Sequence, residues 1–237
     1  MALTEPSAGP AWNLFGSPAE LANALSQTVA RALQGAIEQR GKAFIAVSGG
    51  TTPGLFFRSL SDEDLDWENV VVVLVDERFV ERSSPRANAG LVKTNLLQNR
   101  ASAARFVDLY QPARTVEDAA TASAEVLREL PWPLDVAVLG MGTDGHTASF
   151  FPDASNLDAL LDPASTEMVL SVHAAGAGEP RLTLPLARLA DAGLPVLHIE
   201  GGEKRKVLEE ALAKGRDLPV CRMLEKSRIQ VQVFWAP

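Results

Sequence analysis

Four short stretches of this 237-residue sequence gather the residue types that do chemistry. Ser48-Gly49-Gly50-Thr51-Thr52 has the composition of a small phosphate cradle: glycines let backbone N–H groups approach an anion, hydroxyls add donors, and a following helix would present its N-terminus. A plain glycine turn between strand and helix has the same composition, and the Lys-Ser/Thr ending of a Walker A loop is missing. Asp76-Glu77-Arg78 sets three charges directly after an apolar run, the arrangement of a site or of an ion pair with a neighbouring loop. Gly201-Gly202-Glu203-Lys204 puts a lysine at a helix start, where a cation opposes the helix dipole. A bound anion accounts for that placement, as does simple solvation.

The fourth stretch, Gly140 to Thr147, carries Asp144 and His146. Its Gly140-x-Gly142-x-x-Gly145 spacing matches the dinucleotide fingerprint, which also demands a helix packed closely after the third glycine. Here His146 follows at once and Phe150-Phe151-Pro152-Asp153 breaks any helix, so a nicotinamide cofactor is not expected. What remains is a glycine-rich loop with a carboxylate two residues from an imidazole, the logic of an oriented general base. His173 and His198 fall within or at the ends of apolar strands and read as core or edge residues. Three scattered histidines and a single cysteine, Cys221, offer no ligand spacing, so no metal is expected. Ser48 lacks a Gly-x-Ser-x-Gly elbow, which disfavours a serine hydrolase.

These stretches need elements to position them. Ser17-Pro18-Ala19-Glu20 is a helix start with a capping serine, proline at the first turn and a box-closing glutamate. Leu21, Leu25, Val29, Leu33 and Ile37 then recur on one face, and Gly41 ends the helix. Ala43–Val47, Val70–Val75 and Leu134–Leu139 read as buried strands, Met168–Val172, Pro195–Glu200 and Ile229–Trp235 as further ones. Helices are expected at about 53–60, 87–98, 115–130 and 203–214. Strands alternating with helices predict an α/β fold with a mostly parallel sheet. Ligands then bind beyond the carboxyl ends of the strands, which is where all four stretches fall.

Composition narrows the function. Hydrophobic residues make up 46% and charged residues 22% of the chain, a globular balance. The net charge of −8 disfavours a nucleic-acid surface. No run is long and apolar enough for a membrane helix, and the N-terminus lacks the pattern of a signal peptide. A reducing, cytoplasmic setting fits the lone cysteine. Residues 1–12 read as a flexible tail and 13–237 as one α/β domain. Oligomeric state is left open, a monomer included.

Together these segments resemble the family of 6-phosphogluconolactonases and glucosamine-6-phosphate deaminases/isomerases. The resemblance rests on Val47–Pro53, Asp76-Glu77-Arg78-Phe79, Gly140–Ser149, Pro180-Arg181-Leu182-Thr183-Leu184 and Gly201–Lys204. It implies a Rossmann-like, doubly wound sheet flanked by helices. Deaminases resemble one another in His-x-Ala-Phe-Asn-Glu-Pro, whose glutamate assists ring opening. Here that position is Phe151, which cannot relay a proton, so the pattern looks like the lactonase branch. One departure is Ala87-Asn88, where lactonases usually show Ser-Asn.

The lactonase resemblance implies hydrolysis of 6-phosphogluconolactone, a step of the oxidative pentose phosphate pathway, without metal or cofactor. Ser48, Gly49, Gly50, Thr51 and Lys204 would hold the phosphate, with Arg181 as a second cation. His146 would activate water. Arg78 or loop N–H groups near Gly142 would receive the oxyanion, and Asp144 or Asp76 would hold the histidine or polarise the substrate. The alternatives are a deaminase/isomerase and a non-catalytic sugar-phosphate sensor on the same fold.

Overall fold

The structure, a computed structural model, describes residues 9–237. In chain order its main elements are β1 (Ala11–Leu14), α1 (Pro18–Arg40), β2 (Ala43–Val47), α2 (Gly54–Ser61), β3 (Val70–Leu74), β4 (Asp76–Arg78), α3 (Asn88–Asn95), β5 (Arg105–Val107) and α4 (Val116–Arg128). There follow β6 (Val136–Leu139), α5 (Leu157–Leu160), β7 (Leu170–Val172), β8 (Arg181–Thr183), α6 (Leu186–Ala190), β9 (Leu194–Glu200), α7 (Gly202–Lys214), α8 (Pro219–Lys226) and β10 (Gln232–Ala236).

Helix α1 forms as its sequence dictates. The Ser17 hydroxyl accepts the Glu20 N–H, Pro18 opens the first turn, and Gly41 closes the helix in a left-handed conformation. The Glu20 carboxylate reaches one residue further back than a capping box requires, to the Gly16 N–H at 3.0 Å. Leu21, Leu25, Val29 and Leu33 are fully buried. That face packs against β2, β6 and β10.

Seven strands form one all-parallel sheet in the order β1-β10-β9-β6-β2-β3-β5. Strands β2, β3 and β6 are apolar and buried throughout, as strands covered by helices on both faces must be. From β2 the chain winds outward through β3 to β5. It then returns to the other side of β2 and winds through β6, β9 and β10. The winding reverses between β2 and β6, so the loops leaving their carboxyl ends diverge and open a crevice.

Three features depart from the sequence reading. The flexible stretch expected through Trp12 ends sooner, because Ala11–Leu14 pairs with β10 as an edge strand and Arg205 covers the Trp12 ring; residues 1–8 lie outside the described residues. Second, Asp76-Glu77-Arg78 is not a loop, and the strand expected at Met168–Val172 does not join the parallel sheet. Both belong to a separate antiparallel sheet, β4-β8-β7. The chain leaves β3 through a bend at Val75, and the Leu184 N–H to Val75 carbonyl bond of 2.9 Å ties the two sheets together. Helix α8 was not foreseen either, although Val220, Met223 and Leu224 are buried along it.

Leu25 is fully buried at the centre of α1. Leu25→Ala should destabilise the protein by about 2–5 kcal/mol in urea unfolding, the cost of an unfilled core cavity.

Candidate active site

The crevice is a cleft of about 290 Å³ bordered by the ends of β2, β6 and β9 and by the small sheet. Nine of the ten site residues expected from sequence line it: Ser48, Gly49, Gly50, Thr51, Asp76, Arg78, His146, Arg181 and Lys204. The tenth, Asp144, stands behind His146 and touches the cleft only through it.

The cradle and the histidine loop are neighbours because β2 and β6 are neighbours. Ser48 donates its N–H to the Val138 carbonyl at 3.0 Å, continuing the β2–β6 ladder into the loop. Gly49 is a glycine for a steric reason, since a Cβ there would overlap the Asn88 amide. Across the cleft, Lys204 in the first turn of α7 holds its ammonium 3.4 Å from the Thr52 hydroxyl. Its cation therefore faces the cradle.

His146 is fixed from three sides. Asp144 Oδ1 accepts both the His146 backbone N–H, at 3.1 Å, and its ring Nδ1, at 2.6 Å. That bond assigns the proton to Nδ1 and leaves Nε2 as the basic nitrogen. The Phe151 ring lies 4.4 Å from the imidazole, tilted by 34°. Gly142 supplies the third side, because any Cβ there would collide with the imidazole. No helix begins between Gly145 and Leu157, so the loop has the wrong geometry for a dinucleotide fingerprint.

The antiparallel register sets Arg78 directly opposite Arg181 and Asp76 opposite Thr183. Like charges facing each other across a ladder repel. Burial, followed by the Arg78 charge, lowers the Arg181 guanidinium from its ordinary value. Arg181 spends hydrogen bonds on the carbonyls of Ala177 (2.6 Å) and Glu179 (3.3 Å). Arg78 donates to the Arg86 carbonyl, while its buried Nε has no partner among the described residues. A paired set of guanidiniums with an unmet donor is a site for an anion or a developing negative charge.

Asn88 and His198, neither of them among the ten expected site residues, complete the frame. Asn88 lines the cleft and donates its side-chain N–H to the Asp76 carbonyl at 3.0 Å. The alanine before it offers the helix no cap, and Glu77 does so instead, its buried carboxylate accepting the N–H groups of Asn88, Ala89 and Arg78 at 2.7 Å each. His198, expected in the core or at an edge, is 2% exposed on β9 yet also reaches the cleft. Its Nε2 lies 3.2 Å from Glu200. A hydropathy pattern shows that such a residue is buried; it does not show that its strand ends at a cleft.

Burial pushes the Glu77 carboxyl up from 4.5 to about 7, against the pull of its three backbone donors. The folded protein thus keeps a proton there that the unfolded chain has released, which favours the fold below pH 4.5 and fades as pH rises through 7. Measured by urea unfolding across that window, the native protein should lose on the order of 3 kcal/mol relative to Glu77→Gln as pH rises. A difference that stays flat would contradict the assignment.

Comparison with known proteins places this geometry among relatives. Residues 16–235 match the family described as glucosamine-6-phosphate isomerases/6-phosphogluconolactonase. A 6-phosphogluconolactonase of Mesorhizobium japonicum is 59% identical, with 95% of each chain covered. One from Pseudomonas aeruginosa is 44% identical, covering 97% of this chain and 96% of its own. The crystal structure of a 6-phosphogluconolactonase from Shewanella baltica superposes with a TM-score of 0.92 at 36% identity, over 96% of this chain and 98% of that one.

Proposed function

The chain belongs to the glucosamine-6-phosphate isomerase/6-phosphogluconolactonase family, and on that premise we propose that it hydrolyses 6-phosphogluconolactone to 6-phosphogluconate. The observation that carries the reading is the shared cleft: an imidazole with Nδ1 engaged by Asp144 lies in the same crevice as a glycine-hydroxyl loop faced by Lys204.

The phosphate sits on the N–H groups of residues 49–51, the hydroxyls of Ser48 and Thr51, and the Lys204 ammonium. Binding energy from this remote group holds the lactone carbonyl in place for attack. His146 Nε2 takes a proton from water as the water oxygen bonds to C1. Asp144 supports the imidazolium that results. The carbonyl oxygen gains the negative charge, and the Arg78 guanidinium neutralises it; Arg181, expected from the sequence as a second phosphate cation, is assigned here to the same oxyanion because the ladder sets it opposite Arg78. Collapse of this intermediate breaks the C1–ring oxygen bond, and the imidazolium returns its proton to the departing oxygen. A lactone is an activated acyl group, so the sequence of steps calls on no metal.

Phe151 supports this branch over a deaminase. It packs on the imidazole and, at 5.6 Å, on the Arg181 guanidinium, where ring opening would need a proton carrier.

His146→Ala should retain the fold and the affinity for 6-phosphogluconate while lowering the enzymatic rate of lactone loss by about 10² or more. Near-normal turnover would remove His146 from the role. Lys204→Ala should raise KM more than it lowers kcat. Unchanged affinity for 6-phosphogluconate in that variant would contradict the phosphate assignment.

A further inference from the structure

Two carboxylates, one lining the cleft and one behind His146, are told apart by the buried hydroxyl of Ser149. Asp144 lies behind His146, with Oδ1 engaged by the ring. Asp76 is 8% exposed, lines the cleft, and has no hydrogen bond to His146. Its Oδ2 accepts the Ser149 hydroxyl at 2.6 Å. Its backbone carbonyl is held by Asn88. Among the described residues nothing donates to Oδ1. Ser149 is itself completely buried, and its N–H points to the Thr183 hydroxyl, 3.5 Å away. That hydroxyl in turn bonds to the Val75 carbonyl at 3.3 Å. The Asp76 carboxylate is therefore held at one oxygen by a fully buried network and left with its other oxygen for the cleft.

We propose that Ser149 is a positioning residue that fixes Asp76 as the acceptor for the substrate hydroxyl next to the lactone carbonyl, a role distinct from that of Asp144. The proposal rests on the lactonase reading above and adds a specificity element to it. Three arguments support it. A charged acceptor facing a cleft with one oxygen unclaimed is matched by a ligand O–H, and such a bond to a charged group is stronger than one between neutral partners. Ser149 follows His146 by three residues and precedes Phe151, whose ring is tilted against that imidazole, so the bond to Ser149 ties the Asp76 carboxylate to the segment that carries the base. The hydroxyl nearest the carbon under attack is the one adjacent to the carbonyl. Finally, Ser149 is fully buried, so its hydroxyl has no water to bond and is committed to Asp76.

The test compares 6-phosphogluconolactone with its 2-deoxy analogue in the intact enzyme. The native protein should prefer the natural lactone by about tenfold or more in kcat/KM, the scale of one hydrogen bond to a charged acceptor. Ser149→Ala should raise KM for the natural lactone by about tenfold, change kcat by no more than about threefold, and reduce the preference towards unity. Ser149→Thr, which keeps the hydroxyl, should restore it. In a double-mutant cycle Ser149→Ala should add little to Asp76→Ala, whereas a merely structural serine would add its full effect. Should Ser149→Ala not fold, the near-isosteric Asp76→Asn decides on the same two substrates. Native preference retained in either variant, additive effects, or a loss confined to kcat with the preference intact would overturn the proposal. A native protein inactive on both lactones would instead overturn the lactonase reading itself.

Discussion

The parallel pairing of β2 with β6 is the constraint on which the site depends. Its register, Ile45 against Val136 and Val47 against Val138, brings two carboxyl ends side by side at the point where the winding of the sheet reverses. A loop leaving β2 and a loop leaving β6 must then part and leave a crevice between them. The first carries glycines and hydroxyls, the second an imidazole. Residues almost one hundred positions apart in sequence become the two walls of one cleft because the apolar ladder beneath them sets these strand ends side by side.

The small antiparallel sheet adds the charges. A bend at Val75 carries the chain from β3 into β4 and so into a second ladder, in which Asp76 faces Thr183 and Arg78 faces Arg181. The cost of setting a buried Arg181 and a half-buried Arg78 in register is met partly by backbone carbonyls and partly left unmet at Arg78 Nε. Under the proposed reaction the donors are in place before the negative charge develops, so little reorganisation is needed when it forms. Glu77 bears another share of the strain. Its carboxylate is buried to position the start of α3, and that helix start holds Asn88 against both Asp76 and Gly49.

Much of this was legible in the residues, for physical reasons. Uninterrupted apolar runs such as Val70–Leu74 admit few alternatives to a strand covered on both faces, and Ser17-Pro18 with Gly41 punctuates α1 unambiguously. The glycine-rich strand ends could be placed on one edge because parallel strands share their polarity. The second sheet was not legible. Three-residue strands such as Arg181–Thr183 have no period to detect, and Asp76-Glu77-Arg78 has the composition of a loop. The edge strand at Ala11–Leu14 was hidden for a similar reason, lying beside a stretch rich in Pro, Ala and Gly. Ser149 and Glu77 stand in quoted segments but received no role of their own, because their significance lies in what they touch. A serine three residues after a histidine carries no signal until Asp76 is brought against it from seventy-three positions away.

In the proposed reaction one cleft holds the phosphate at one end and the reacting carbon at the other. A crystal structure of the protein with 6-phosphogluconate bound measures this directly. It should show the phosphate on residues 48–51 and Lys204, with the C1 carboxylate within about 3 Å of His146 Nε2. A product bound the other way round, with phosphate on Arg78 and Arg181 and C1 beside Lys204, would contradict it.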